Sequence, residues 1–294
     1  MKRLAEKIRK VGLIGNSEKV ASFNVVRDAA RLAARAGREV FSDANTALLA
    51  GLDVKICSNA AALAREVDLL LVFGGDGTIL RIAREVAGCR TPLLGINTGS
   101  LGFLTAVPSS ELTQALKHVW RGQFSFESRS LLQATGNANG QRIDQTALND
   151  FVVTRGISSR LIELDVHVDG NLLTRYRCDG LIVSTATGST AYSLAAGGAV
   201  IFPTANVLAL TPICPHTLSN RALVLPLSSR VDVKVLSPKP STLLSADGQV
   251  VSEMGPDDEL RFRRSRWTIR LMHLVGSSFC ETLRKKLHWR GATL

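Results

Sequence analysis

The chain has 294 residues, of which 45% are hydrophobic and 21% charged, with a formal net charge of +11. That length supports a sizeable core and two domains, and no apolar stretch approaches the ~20 residues of a bilayer-spanning helix, which excludes a helical membrane anchor. Five cysteines, Cys57, Cys89, Cys178, Cys214 and Cys280, are odd in number and never spaced Cys-x-x-Cys, which argues against a disulfide framework or zinc site and for a cytoplasmic protein.

The N-terminus is basic, and the apolar run Val11–Ile14 behind it is too short for a signal peptide. Val11 to Gly15 reads instead as a first strand. Val25 to Ala36 has helical spacing and stops at Gly37, a natural C-cap. Arg38 to Ser42 and Asp53 to Ile56 read as strands, Ala60 to Glu66 as a helix and Leu69 to Phe73 as a buried strand. A glycine turn, Gly74-Gly75-Asp76-Gly77-Thr78, then leads into a helix over Ile79 to Val86, and Pro92 to Ile96 is another buried strand. Strands alternating with helices predict a parallel sheet covered on both faces, with ligands at the carboxyl ends of the strands. The stretch Asn97-Thr98-Gly99-Ser100-Leu101-Gly102-Phe103 opens onto the same rim.

After a helix near Ser110 to Trp120 the texture becomes strand-like. Asp169-Gly170 and Asp247-Gly248 each join two strand patterns as hairpin turns, and Val231 to Val235 alternates cleanly. Phe279 to Trp289 is amphipathic and reads as a helix that returns to the first domain. The expected division is an α/β domain over residues 1–106, joined by 279–294, and a β-rich domain over 107–278. The junction falls near Thr105 to Pro108.

Three stretches stand out chemically. Strand, glycine turn and helix in that order make a phosphate cradle, in which backbone N–H groups and the positive helix end face an anion. Asp76 is the odd member there: a carboxylate repels phosphate unless a metal ion bridges them or it takes a proton. The bland alternative is an ordinary strand-to-helix turn. The second stretch runs from Cys178-Asp179-Gly180 to Thr187-Gly188-Ser189-Thr190-Ala191-Tyr192-Ser193, again strand, polar turn and helix. Its hydroxyls suit phosphate or ribose and Tyr192 offers a stacking face, although Ser189 and Thr190 are also good helix caps. The third is Asn149-Asp150 before the strand pattern Phe151 to Val153. Successive strand residues face opposite ways, so both meet one ligand only at a bulge or strand end. The arginines and tryptophan of Arg261 to Trp267 and the basic run Arg284 to Arg290 read either as a nucleic-acid patch, which no nucleic-acid module signature accompanies, or as a solvated strand edge and a helix with a basic outer face.

Taken together and in order, these motifs resemble those of the NAD kinase family of bacterial type, ATP-dependent enzymes that phosphorylate the adenosine 2′-hydroxyl of NAD. The resemblance spans nearly the whole chain, and Gly197-Gly198, Pro215-His216-Thr217-Leu218-Ser219 and Asp247-Gly248-Gln249 extend it. It implies a doubly wound α/β nucleotide domain and a β-rich domain, the site between them. It also implies that Asp76 is the catalytic base, with Gly74, Gly75, Gly77, Thr78 and Arg81 around the phosphates. Asn149, Asp150, Asp179 and the segment Thr190, Ala191, Tyr192, Ser193, Leu194 and Ala195 would hold NAD, with Tyr192 against an adenine. Arg160, Arg177 and Gln249 align with ligand-contacting positions. The substrates implied are ATP and NAD, with Mg²⁺ or another divalent cation and no protein-held metal centre. A homodimer or homotetramer without nucleic-acid or membrane partners is expected.

This chain departs from the family pattern at Asp150, where Glu is more usual, at Ala186 for Pro and at Ala195 for Ser. Two other readings are a diacylglycerol kinase-like lipid kinase, which shares Gly-Gly-Asp-Gly-Thr but not the Thr187–Tyr192 motif, and a dinucleotide sensor without catalysis.

Overall fold

Apolar runs too short for helices, each followed by an amphipathic segment, build the first part of the chain. The computed structural model describes residues 5–16, 22–99, 102–105, 107–156, 160–217, 219–237 and 242–289. Ser100 and Leu101 of the second glycine-rich stretch, Leu218 of the Pro215–Ser219 loop and residues 1–4, 106 and 290–294 lie outside the described residues. Two compact units emerge, one of Met1–Ser128 with Ile269–Leu294 and one of Arg129–Thr268.

In the first unit, β1 (Lys10–Gly15), α1 (Ser22–Arg35), β2 (Glu39–Asp43), α2 (Ala44–Ala50), β3 (Lys55–Cys57), α3 (Ala60–Glu66), β4 (Leu69–Gly74), α4 (Asp76–Glu85) and β5 (Leu93–Asn97) follow one another. The strands pair in parallel in the order β3-β2-β1-β4-β5. Every residue of β4 and β5 is buried, as expected of strands covered on both faces. Strand order reverses between β1 and β4, so the crevice at their carboxyl ends is where this fold accepts ligands. Phe23, Val26, Ala29 and Ala33 form the buried stripe of α1.

The sequence pattern does not foresee α2. The helix starts directly from β2, with Asp43 as its N-cap accepting from the Thr46 N–H, and it stops at Gly51 in the left-handed region. The expected junction near residue 106 also shifts. β6 (Val107–Pro108) pairs with β5, and α5 (Leu112–Trp120) buries Leu112, Ala115, Leu116 and Val119 in the first core. The chain then leaves through β7 (Phe124–Ala138) and returns through the last residues of a long C-terminal strand, where Leu271 pairs with Leu93.

The second unit is antiparallel. It continues β7 and adds β8 (Gln141–Ala147), β9 (Asp150–Arg155), β10 (Ile162–Val168), β11 (Asn171–Cys178), β12 (Gly180–Thr185), α6 (Tyr192–Ala195), β13 (Val207–Ile213), β14 (Leu223–Pro226), β15 (Val231–Val235), β16 (Thr242–Ala246), β17 (Gln249–Met254) and most of β18 (Glu259–Leu274). One sheet runs β14-β13-β12-β9-β16-β17, and β11-β10-β15-β18 faces the same core. Phe151 and Phe262 meet there with ring centroids 5.4 Å apart. Both Asp-Gly pairs turn hairpins with two positive-φ residues, and Asn139-Gly140 makes a third between β7 and β8. The chain ends with α7 (Phe279–Leu287), which belongs to the first unit as the sequence pattern predicts.

Candidate active site

At the carboxyl end of β4 the chain turns through Gly74 and Gly75 and enters α4 at Asp76. Gly75 provides no side-chain cap, and its carbonyl accepts the Thr78 and Ile79 N–H groups at 3.0 and 3.3 Å. The Asp76 carboxylate points away from its own helix. Its Oδ2 accepts the Phe103 N–H at 2.7 Å, and its Oδ1 accepts Leu104 N–H at 3.1 Å and both the N–H and hydroxyl of Thr105 at 3.2 Å. A Cβ on Gly102 would lie 1.9 Å from Asp76 Oδ1, so only glycine lets the loop close this tightly. Asn97 at the end of β5 completes the arrangement by donating to Thr105 Oγ1 at 3.0 Å and accepting the Gly99 N–H at 2.7 Å. Oδ2 accepts only the Phe103 N–H, and a carboxylate oxygen offers about two acceptor sites, so Oδ2 has room for one further proton. Arg81, one turn further along α4, pairs with Glu85 at 2.8 Å and is part-exposed.

The second constellation lies wholly in the second unit. Asn149 sits in the short link between β8 and β9, and Asp150 opens β9 opposite Ser184 of β12. Both residues therefore lie at a strand end. Asp247, in the hairpin between β16 and β17, accepts the N–H groups of Leu148, Asn149 and Asp150 at 3.1, 2.7 and 3.3 Å. The carbonyls of Leu148 and Asn149 accept the Thr185 hydroxyl and N–H at 2.7 and 2.8 Å. A Cβ on Gly188 would lie 2.2 Å from the Asn149 carbonyl oxygen, which explains the glycine in Thr-Gly-Ser-Thr. Asp150 is 4% exposed, and burial first, then the nearby Asp247 charge, push its carboxyl up to about 7.

The hydroxyl-rich stretch forms a 3₁₀ turn over Thr187–Thr190 and then the single turn α6, not the capped helix its pattern predicts. Neither Ser189 nor Thr190 caps it. Ser189 donates to the Ala186 carbonyl and accepts from Ile201 N–H, while Thr190 bonds back to the Thr187 carbonyl. Ser193 is buried against the Thr211 hydroxyl at 2.9 Å, whereas Tyr192 is 46% exposed, and Ala195 is exposed beside a half-buried Leu194. Asp179 pairs with Arg155 at 2.7 Å. Arg177 lies exposed on β11, 3.9 Å from Glu163, and Arg160 and Gln249 are exposed.

The arginines and tryptophan of β18 line a separate groove of about 680 Å³ with Gln133 and Asp144, and none of the expected site residues borders it. Among the described residues no three His, Cys, Asp or Glu side chains converge as a metal site, and no helix is long and apolar enough to cross a membrane. Sequence reasoning did not single out Gly102, Thr105 or the carboxylate of Asp247. In sequence the Asp247-Gly248 pair reads as a turn and, with Gln249, as part of the family resemblance, with no role for the Asp247 side chain.

Residues 11–124 match the ATP-NAD kinase N-terminal domain family, and residues 148–274 match the ATP-NAD kinase C-terminal domain family. An NAD kinase of Cupriavidus pinatubonensis is 41% identical over 95% of this chain and 92% of its own length, and one of Paraburkholderia phytofirmans is 39% identical over 98% and 96%. Among solved structures, yeast NADH kinase complexed with NADH has a TM-score of 0.89 at 26% identity, covering 98% of this chain and 89% of the other. An NAD kinase from Archaeoglobus fulgidus in complex with ATP has a TM-score of 0.74 at 25% identity, covering 96% and 100%.

Proposed function

The chain belongs to the ATP-NAD kinase family, and from that premise we propose how its residues transfer the γ-phosphoryl group of ATP to NAD. The 2′-hydroxyl oxygen of the adenosine ribose attacks the γ-phosphorus, the bond to the β–γ bridging oxygen breaks, and NADP and ADP are formed. Asp76 takes the hydroxyl proton. The observation that supports this role best is its placement at the carboxyl end of β4, beside the strand-order reversal, with one Oδ2 acceptor site unengaged. Four donors hold the carboxylate, three on Oδ1 and one on Oδ2, so it is positioned before the substrate arrives.

Phosphoryl transfer asks a protein mainly for positioning and charge stabilisation. The first-turn N–H groups of α4, with Gly74, Gly75, Gly77 and Thr78, supply a positive helix end to the phosphates, and Arg81 adds a cation one turn on. The divalent cation enters as part of the ATP substrate. Asn149, Asp150, Asp179 and Thr190 to Ala195 hold NAD, with the exposed Tyr192 ring available to stack on adenine. Arg160, Arg177 and Gln249 are exposed and would meet ligand from the protein surface. A cytoplasmic homodimer or homotetramer completes the reading, supported by the five unpaired cysteines and the sheet edges of the second unit.

The test is NADP formation from ATP, Mg²⁺ and NAD by the wild-type chain and by Asp76→Asn. The variant loses roughly 10²–10⁴-fold in kcat while still binding NAD. Near-wild-type turnover by a folded variant would overturn the base assignment, and no product from the wild type would favour the sensor reading.

A further inference from the structure

Leu148 and Asn149 link β8, whose pairing with β7 reaches Ala147, to β9, whose pairing with β12 starts at Asp150, so neither residue belongs to a strand ladder. The last register pair of β16 with β9 is Ala246 with Phe151, which leaves Asp247 opposite Asp150 just beyond the ladder. Asp247 closes the gap itself. Its N–H donates to the Asp150 carbonyl at 3.0 Å, and its carboxylate collects three successive N–H groups from Leu148 to Asp150. The hairpin aims the carboxylate, because Asp247 and Gly248 both take positive φ, 48° and 78°. Three converging N–H groups form a concavity for an anion, and here the anion is a side chain. Thr185 holds the carbonyls of the same segment from the other side.

We propose that Asp247 is the positioning residue of the dinucleotide grip, setting the placement of Asn149 and Asp150 without touching NAD. The proposal rests on the reading that Asn149 and Asp150 contact NAD. A hairpin carboxylate that merely stabilised the fold would leave substrate affinity alone once the protein had folded. A positioning carboxylate acts on affinity for one substrate, since displacing a contact by about 1 Å costs on the order of 10²-fold.

The variant that isolates the carboxylate is Asp247→Gly, because glycine keeps the positive φ at no steric cost. D247G is expected to raise the KM for NAD by about 10- to 100-fold, with the KM for ATP changed by less than about twofold and kcat at saturating NAD largely kept. D247N gives an intermediate NAD KM, since an amide oxygen in the Oδ1 place still accepts from Asn149 and Asp150 while its NH₂ opposes the Leu148 N–H. An unchanged NAD KM in folded D247G, or equal rises for both substrates, overturns the proposal. If D247G does not fold, D247N carries the test, and an NAD KM equal to wild type overturns it. Asn149→Ala separates the two levels. If N149A raises the NAD KM and D247G does not, the positioning role fails alone. If N149A leaves it unchanged, the contact reading fails and the proposal falls with it.

Discussion

Asp76 holds a loop, and the proposed base role asks something different of the same carboxylate. Asparagine in its place can keep an amide oxygen toward Leu104 and Thr105, but its NH₂ then faces the Phe103 N–H, donor against donor. Leaving that amide without an acceptor costs about 1–3 kcal/mol. D76N should therefore melt below the wild type, and an unchanged melting temperature would mean that the loop is held by other contacts. Asp150 offers a prediction in pH. Its folded pKa of about 7 lies above the ordinary 3.8, so between those values the folded chain keeps a proton that the unfolded chain has shed. The stability contributed is fully present below about pH 4 and is lost as pH rises through 7. Asp150→Asn removes the titration, so the melting temperature of D150N relative to wild type should climb from pH 5 to pH 8. A constant difference would remove Asp247 and burial as the cause of the shift. Asp76 was legible because a carboxylate in a phosphate turn is anomalous on sight. The clamp by Asp247 was not, because an Asp-Gly hairpin signal says where the chain turns and nothing about where the side chain points.

At the scale of elements, the loop gripped by Asp76 also rests on the C-terminal helix. Phe103 packs against Phe279 of α7 with ring centroids 6.2 Å apart, and the Lys286 ammonium lies 5.7 Å over the Phe103 ring. Such aromatic pairs add about 0.5–1.5 kcal/mol beyond the area they bury. Phe279→Ala should therefore lower the melting temperature by a few degrees and lower kcat/KM by several-fold, while Phe279→Leu restores most of both. Full activity in F279A would show that Phe103 does not depend on α7 for its position. Elements with a long period were readable from sequence: α1, α4, α5 and α7 each fall within a few residues of their expected spans. The ones that escaped are set by neighbours. α2 is short and begins on the last residue of a strand. α6 keeps to one turn because Gly197 and Gly198 follow it, the latter so close that a Cβ would lie 2.3 Å from Ser193 Oγ.

At the scale of the whole molecule, composition anticipated two units with separate cores, and both are present. It did not locate the junction, because α5 looks as though it opens the second texture yet buries four apolar residues in the first core. Net charge acts at this scale too. A surplus of +11 draws in anionic ligands from beyond contact distance, and salt screens that attraction over about 10 Å at 0.1 M. ATP carries more negative charge than NAD, so its capture gains more from the field and loses more when the field is screened. Raising ionic strength from about 0.02 to 0.2 M, within which the screening length falls severalfold, should lower kcat/KM for both substrates and more steeply for ATP, with kcat at saturation little changed. Equal slopes for the two substrates would mean that the charge is spread too evenly to favour either. A loss confined to kcat would place the salt effect on the chemical step, where the donors around Asp76 act at hydrogen-bond distance and are the least exposed to screening.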